Sequence, residues 1–346
     1  MNLYKNFTRK FLFHFQPEIA HKITFAALKS LNYLPFARVL LEKKFTSSTD
    51  KTLTTVFGIQ FPNPVGLAAG LDKDSEIFDM LGYLGFGFVE IGTVTPKPQA
   101  GNPTPRLFRL IQDSALINRM GFNNKGLDYT CKKLSKKKSN IIIGGNIGKN
   151  KITPNESAFE DYIIGFEKLF AFVDYFTVNI SSPNTPNLRD LQEKEPLKNL
   201  LSELQKLNSQ KPVRKPILLK ISPDLTFEQI DDILEVIAET KIDGIVATNT
   251  TISREGLISE KSEIEKIGNG GLSGKPLKNK ATEIIRYIAE KTKHRLPIIG
   301  AGGIMTPEDA MEKIKAGAWL IQLYTGFIYE GPELIQKINQ KISENK

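Results

Sequence analysis

Eight short apolar runs rich in Val and Ile recur along the chain, at 65–69, 88–92, 141–146, 175–180, 217–221, 244–248, 298–301 and 320–324. Most have the length of a strand buried on both faces. Several of the intervals carry helical patterns, at 159–170, 227–240, 281–291 and 307–316; in the second, Ile230, Ile233, Leu234 and Ile237 share one side. Strand followed by helix, repeated around the chain, predicts an α/β fold closed as a (β/α)8 barrel of the TIM type. An open doubly wound sheet needs no such count and prefers a GxGxxG turn after its first strand, a fingerprint missing here. The 346 residues suit one such barrel plus an appendage.

That appendage is 1–45, and 46–346 is the barrel. Tyr4, Phe7 and Phe11 fall at helical spacing, with Phe15 near the same face. Pro17 suits the first turn of a second helix, with Glu18 at its positive end, and Ile23, Ala27 and Leu31 repeat every fourth residue before Pro35 resets the pattern. Lys5, Arg9, Lys10, Lys22, Lys29, Arg38, Lys43 and Lys44 surround them against only Glu18 and Glu42. The expectation is an N-terminal two-helix extension, amphipathic and cationic. It is too small to bury a core alone, so its apolar faces meet the barrel, another subunit or an anionic membrane. Residues 53–61, with Gly58 at the bend, predict a short antiparallel hairpin closing one barrel end.

The formal net charge of +9 suits nucleic acid, anionic lipid, an anionic substrate or simply a lysine-rich surface. A single cysteine, Cys131, excludes an intrachain disulfide framework and a cysteine-rich metal site, and His14, His21 and His294 do not suggest a zinc cluster, so no metal is expected. There is no 18-residue apolar stretch, and Asn6, Arg9, Lys10 and His14 break up the N-terminus as a signal peptide. The expected compartment is cytoplasmic.

Polar residues gather where the strands stop. The first ends in Ala-Ala-Gly-Leu-Asp-Lys at 68–73, the second at Thr93, the third at Asn146, the fourth at Asn179 and the fifth near Lys220 and Ser222. The sixth ends in Thr248-Asn249-Thr250, the seventh in Gly302-Gly303 and the eighth in Tyr324-Thr325. Polar groups inside a barrel mouth are costly unless they bind something. The seventh and eighth loops form the usual phosphate corner of this architecture, where backbone N–H groups cradle an anion. The long intervals 93–140 and 249–280 read as binding loops on the same rim. The fourth loop, Asn-Ile-Ser-Ser-Pro-Asn-Thr-Pro at 179–186, has no histidine nearby in sequence, so proton transfer there falls to Ser, Thr, Tyr, Lys, Asp or water.

Taken together, Gly-Leu-Ala-Ala-Gly-Leu-Asp-Lys at 66–73, Pro-Arg-Leu-Phe-Arg at 105–109, Asn-Arg-Met-Gly-Phe-Asn-Asn at 118–124, Asn-Ile-Gly-Lys-Asn at 146–150, the 179–186 loop, Gly-Leu-Ser-Gly at 271–274 and Gly-Ala-Gly-Gly at 300–303 resemble the dihydroorotate dehydrogenase family, specifically its quinone-dependent, membrane-associated class. The resemblance spans essentially the whole chain, including the N-terminal helices. It implies oxidation of dihydroorotate to orotate, in pyrimidine biosynthesis, with FMN as cofactor and a membrane quinone as acceptor. It implies FMN contacts from Ala69, Gly70, Leu71, Asp72, Lys73, Thr93, Asn146, Asn179, Lys220, Thr248, Gly274, Gly303, Tyr324 and Thr325. For the pyrimidine it implies Lys73, Asn118, Arg119, Met120, Gly121, Phe122, Asn179, Asn184, Asn249 and Thr250, with Ser182 as catalytic base where the soluble classes carry cysteine. His21 and Arg109 fall in the implied quinone access, with Tyr324 at its border. The same resemblance implies a monomer bound peripherally to the cytoplasmic face of the cell membrane, with no nucleic-acid partner. Three readings compete: a flavin-free phosphate-binding barrel, a non-catalytic membrane scaffold, and a soluble flavin dehydrogenase using fumarate or NAD.

Overall fold

The computed structural model describes residues 4–46 and 51–345. From the N-terminus, a short π-turn at Tyr4–Thr8 runs into helix α1 (Arg9–Phe13), followed by α2 (Pro17–Leu31) and α3 (Pro35–Phe45). Pro17 and Pro35 each open a helix, where a missing N–H costs nothing. The expected two-helix extension thus carries a third helix, because Pro35 starts a new one.

Strands β1 (Thr54–Val56) and β2 (Ile59–Phe61) form the expected hairpin around Gly58. Then come β3 (Val65–Leu67), β4 (Phe88–Val94), β5 (Leu107–Leu110), β6 (Ala115–Asn118), β7 (Ile142–Ile147), β8 (Tyr175–Asn179), β9 (Ile217–Lys220), β10 (Gly244–Ala247), β11 (Gly271–Gly274), β12 (Ile298–Ala301) and β13 (Leu320–Leu323). Eight of these, β3, β4, β7, β8, β9, β10, β12 and β13, close into a parallel barrel in that order. Several apolar runs end one or two residues earlier than the sequence suggested: 68–69, Ile180, Ile221, Thr248 and Tyr324 already belong to the loops, whereas the second strand continues to Val94. The remaining strands, β5, β6 and β11, make an antiparallel sheet that the sequence reading left within the long rim loops.

The barrel interior is layered. At the end where the strands begin, Phe88, Ile142, Tyr175, Leu218, Val246, Ile299 and Leu320 pack on Val56 and Phe61 of the hairpin, forming an apolar plug. Gly144 makes room for this plug, since a Cβ there would lie 2.3 Å from the Tyr175 ring. Above the plug comes a polar layer around Glu90, which is fully buried. Above that layer the barrel opens into a cavity. Outside the strands, helices such as Ala158–Leu169, Phe227–Thr240, Lys278–Lys291 and Pro307–Lys315 bury their apolar sides against the sheet. Phe25 of α2 and Phe45 of α3 join the same core, each contributing about 1.5–3 kcal/mol by burial.

Candidate active site

The cavity at the strands' C-terminal ends gathers groups from every part of the barrel rim. The β3 loop contributes Ala69, Gly70 and Lys73; β4 contributes Thr93; the loop after β8 contributes Ser182 and Asn184. Lys220 closes β9, and Thr248, Asn249 and Thr250 follow β10. Gly303, Tyr324 and Thr325 line the side formed by the last two loops. The β5–β6–β11 sheet lies over the mouth and brings Asn118 and Gly274, while Met120, Gly121 and Phe122 follow from the β6 loop. Gly303 has a φ of +74°, and a Cβ there would fall 2.3 Å from Lys278 Cα, so this turn requires glycine.

A chain of amides sets the floor and walls. Asn179 Nδ2 donates to Thr93 Oγ1 at 2.8 Å and to Asn146 Oδ1 at 3.2 Å. Asn179 Oδ1 accepts from Asn249 Nδ2 at 3.3 Å and from Ser181 Oγ at 3.2 Å. Asn184 Nδ2 donates to Asn118 Oδ1 at 3.1 Å, joining the serine loop to the overlying sheet. Ser182 is buried, and its Oγ accepts from the Asn184 backbone N–H at 3.3 Å. Lys73 Nζ donates to Asn123 Oδ1 at 3.0 Å. Burial, followed by the positive charge of Arg106, lowers the Lys73 amine to about 8, which still leaves it mostly cationic at pH 7.

Four of the expected residues are not among those lining this cavity. Asp72 turns away: its carboxylate accepts from the Glu76 and Ile77 backbone N–H groups, and burial raises it to about 6. Leu71 lines the neighbouring apolar cavity instead. Asn146 lies beneath the cavity, donating to Glu90 Oε1 at 2.8 Å. The Arg119 guanidinium faces outward, donating to the carbonyls of Ile267, Asn269 and Pro105 and stacking over Phe108. The sequence reading missed Ser273 and Gln322, which do line the cavity. Gln322 is a polar residue within the apolar run 320–324, and that mismatch was its available signal.

A second cavity of about 510 Å³ lies between the N-terminal helices and the barrel. Its walls are mostly apolar, including Phe11, Ile23, Leu28 and Leu41, with His21 and Arg109 among its polar groups. Arg109 Nη1 donates to the Phe15 carbonyl at 2.7 Å, and its guanidinium lies 4.4 Å from the Phe13 ring centroid. Burial, then the Lys73 charge, lowers the His21 imidazole to about 4, so it is neutral at pH 7. Tyr324 lines both cavities, and burial raises its phenol to about 12.

This architecture has close counterparts. A sequence model described as dihydroorotate dehydrogenase matches residues 52–345. A dihydroorotate dehydrogenase (quinone) of Christiangramia forsetii is 60% identical over 343 residues, covering 99% of each chain. One of Coxiella burnetii is 49% identical, covering 96% of this chain and 94% of its own. The crystal structure of an Eimeria tenella DHODH in complex with ferulenol superposes with a TM-score of 0.85 at 37% identity, covering 94% of this chain and 90% of that one. A ligand-free structure from the same organism also gives 0.85, at 38% identity with 94% of both chains covered. With the family's sequence pattern running through the barrel, and the N-terminal helices falling within alignments that span nearly the whole chain, this protein belongs to the dihydroorotate dehydrogenase family, in its quinone-dependent class.

Proposed function

We propose that the protein oxidises dihydroorotate to orotate on bound FMN and passes the electrons to a membrane quinone. The observation that carries this reading is the pair of adjoining cavities: one polar, at the strand ends around Ser182, and one apolar, under the N-terminal helices, with Tyr324 in the wall of both. Two half-reactions with chemically unlike substrates need such an arrangement.

The donor set fits FMN. Lys73 and Lys220 offer cationic groups, the 302–303 glycine pair exposes backbone, and Gln322 has its Oε1 buried without a hydrogen-bond partner. Ala69, Gly70, Lys73, Thr93, Asn179, Lys220 and Thr248, with Gly274, Gly303, Tyr324 and Thr325, would hold it. When bound, FMN supplies the hydride acceptor for the pyrimidine and the electron donor for the quinone. The chain's own work is orientation and proton handling. Lys73 and the amides of Asn118, Asn184 and Asn249 grip the carboxylated pyrimidine, and Ser182 Oγ takes the proton from its C5 as its own hydroxyl proton passes to water. Lys220 stabilises negative charge developing in the cavity. Serine is a weak base at its free pKa, so this step accelerates with rising pH.

On the other side, His21 and Arg109 meet the quinone head group and the apolar walls hold its body. Phe7, Phe11, Phe36, Val39 and Leu40 are exposed on the N-terminal helices beside their lysines and arginines. This pattern suits a monomer resting on the anionic cytoplasmic face of a membrane. Among the described residues no helix is long and apolar enough to cross one. The test is turnover of dihydroorotate with quinone, fumarate and NAD offered separately. Quinone-selective turnover by a yellow protein is expected, and a flavin-free protein or equal use of fumarate overturns the reading.

A further inference from the structure

The reaction described above leaves Glu90, a carboxylate buried inside the barrel, without a role. Glu90 lies inside the barrel with no exposed surface, in the layer directly beneath the cavity. Four strands besides its own converge on it. Its Oε1 accepts from Asn146 Nδ2 at 2.8 Å and stands 3.8 Å from the Lys220 ammonium. Its Oε2 accepts from Gln322 Nε2 at 2.8 Å, Thr177 Oγ1 at 3.0 Å and Tyr175 Oη at 3.5 Å. Every neighbour donates, which is the surrounding an acceptor-only carboxylate calls for. A barrel interior needs no charge for packing, and a buried charge is costly without such partners. Two of the partners, Lys220 and Gln322, also line the cavity.

We propose that Glu90 is a positioning residue for Lys220, and that its fixed negative charge sets the reduction potential of the flavin; the inference rests on the FMN reading above. Lys220 reaches the cavity at the end of β9 and is itself only 5% exposed, so little water screens the pair. The carboxylate anchors the ammonium in place and offsets part of its field. A flavin gains negative charge on two-electron reduction, so the uncompensated ammonium would favour the reduced form more strongly. Glu90 therefore holds the potential down and keeps the reduced flavin a good donor to the quinone. Asn146 and Gln322 extend the same anchor towards two other parts of the cavity wall.

The experiment is spectroelectrochemical titration of the purified flavoprotein, wild type against Glu90→Gln and Thr177→Val. Glu90→Gln keeps the shape but removes the charge. It is expected to raise the midpoint potential by about 30 mV, a tenfold change in the two-electron equilibrium. Thr177→Val removes one hydrogen bond from the same carboxylate but leaves its charge, and is expected to change that equilibrium less than twofold. A flavin-bound Glu90→Gln protein with an unshifted potential overturns the inference, as does an equal upward shift in both variants. Loss of folding or of flavin by Glu90→Gln, with Thr177→Val intact, would make the residue a structural anchor and also overturn it. A wild-type protein without flavin defeats the FMN reading instead, so the two failures are distinct.

Discussion

The imidazole Nε2 of His21 lies 3.1 Å from the carbonyl oxygen of Leu71, tying helix α2 to the loop that follows the first barrel strand. A carbonyl can only accept, so Nε2 carries the proton and Nδ1 is left as an acceptor. His21 also stacks on Phe25, with ring centroids 4.0 Å apart. The bond therefore couples the apolar cavity to the loop that presents Gly70 and Lys73 to the polar one.

This coupling gives a pH-dependent stability of defined sign. The folded imidazole titrates near 4, lowered chiefly by burial, whereas an unfolded histidine titrates near 6.5. Between those values the unfolded chain binds the extra proton, so stability falls as pH drops from 6.5 to 4, by at most about 3 kcal/mol. Asp72 works in the opposite sense, because its folded carboxyl is raised to about 6. The histidine share is thus read as the difference between wild type and His21→Gln in melting temperature against pH. The two curves are expected to converge on acidification as the wild type loses its advantage; parallel curves would exclude the assignment.

Ser182→Ala is expected to slow flavin reduction by dihydroorotate about 10²–10⁴-fold while leaving reoxidation by quinone unchanged. Ser182→Cys should retain part of the activity and shift the pH profile of reduction to lower pH, since a thiol ionises near 8.5. Rapid-mixing measurement of each half-reaction separates these effects. Equal slowing of both half-reactions would remove Ser182 from the proton-transfer role.

Arg109→Leu removes the hydrogen bond to Phe15 and the stacking on Phe13, together about 1–3 kcal/mol. The N-terminal helices then sit less firmly over the apolar cavity. A rise of roughly tenfold in the KM for quinone is expected, with the dihydroorotate half-reaction unchanged. A changed KM for dihydroorotate with a normal one for quinone would contradict the placement.

The barrel was legible because buried parallel strands leave continuous apolar runs, and most of the rim was legible because strand ends carry the polar residues. What escaped depended on distant partners. Strand β11 pairs with β6 across some 150 residues, Gly271 opposite Asn118, a partner that neither segment's own residues reveal. Asp72 stands in a matching motif, but it satisfies backbone N–H groups of the following turn, a destination that residue type does not reveal. Glu90 was passed over inside the apolar run 88–92, though a lone acid in a strand buried on both faces is itself a signal.

Gly144 of the third barrel strand lies against the Tyr175 ring, which leaves no room for a Cβ. Gly144→Val is expected to cost at least about 3 kcal/mol, since both the side chain and the ring are confined by the plug. Denaturant unfolding checks this; a change under 1 kcal/mol would show that the plug can repack.

The most direct test of two joined half-reactions is an anaerobic double-mixing experiment on the full-length protein in vesicles, following the flavin absorbance. Dihydroorotate is expected to bleach the flavin, and a quinone in the bilayer to restore it, whereas fumarate or NAD leaves it bleached. Bleaching followed by equally fast recovery with fumarate, or no bleaching at all, would contradict the account.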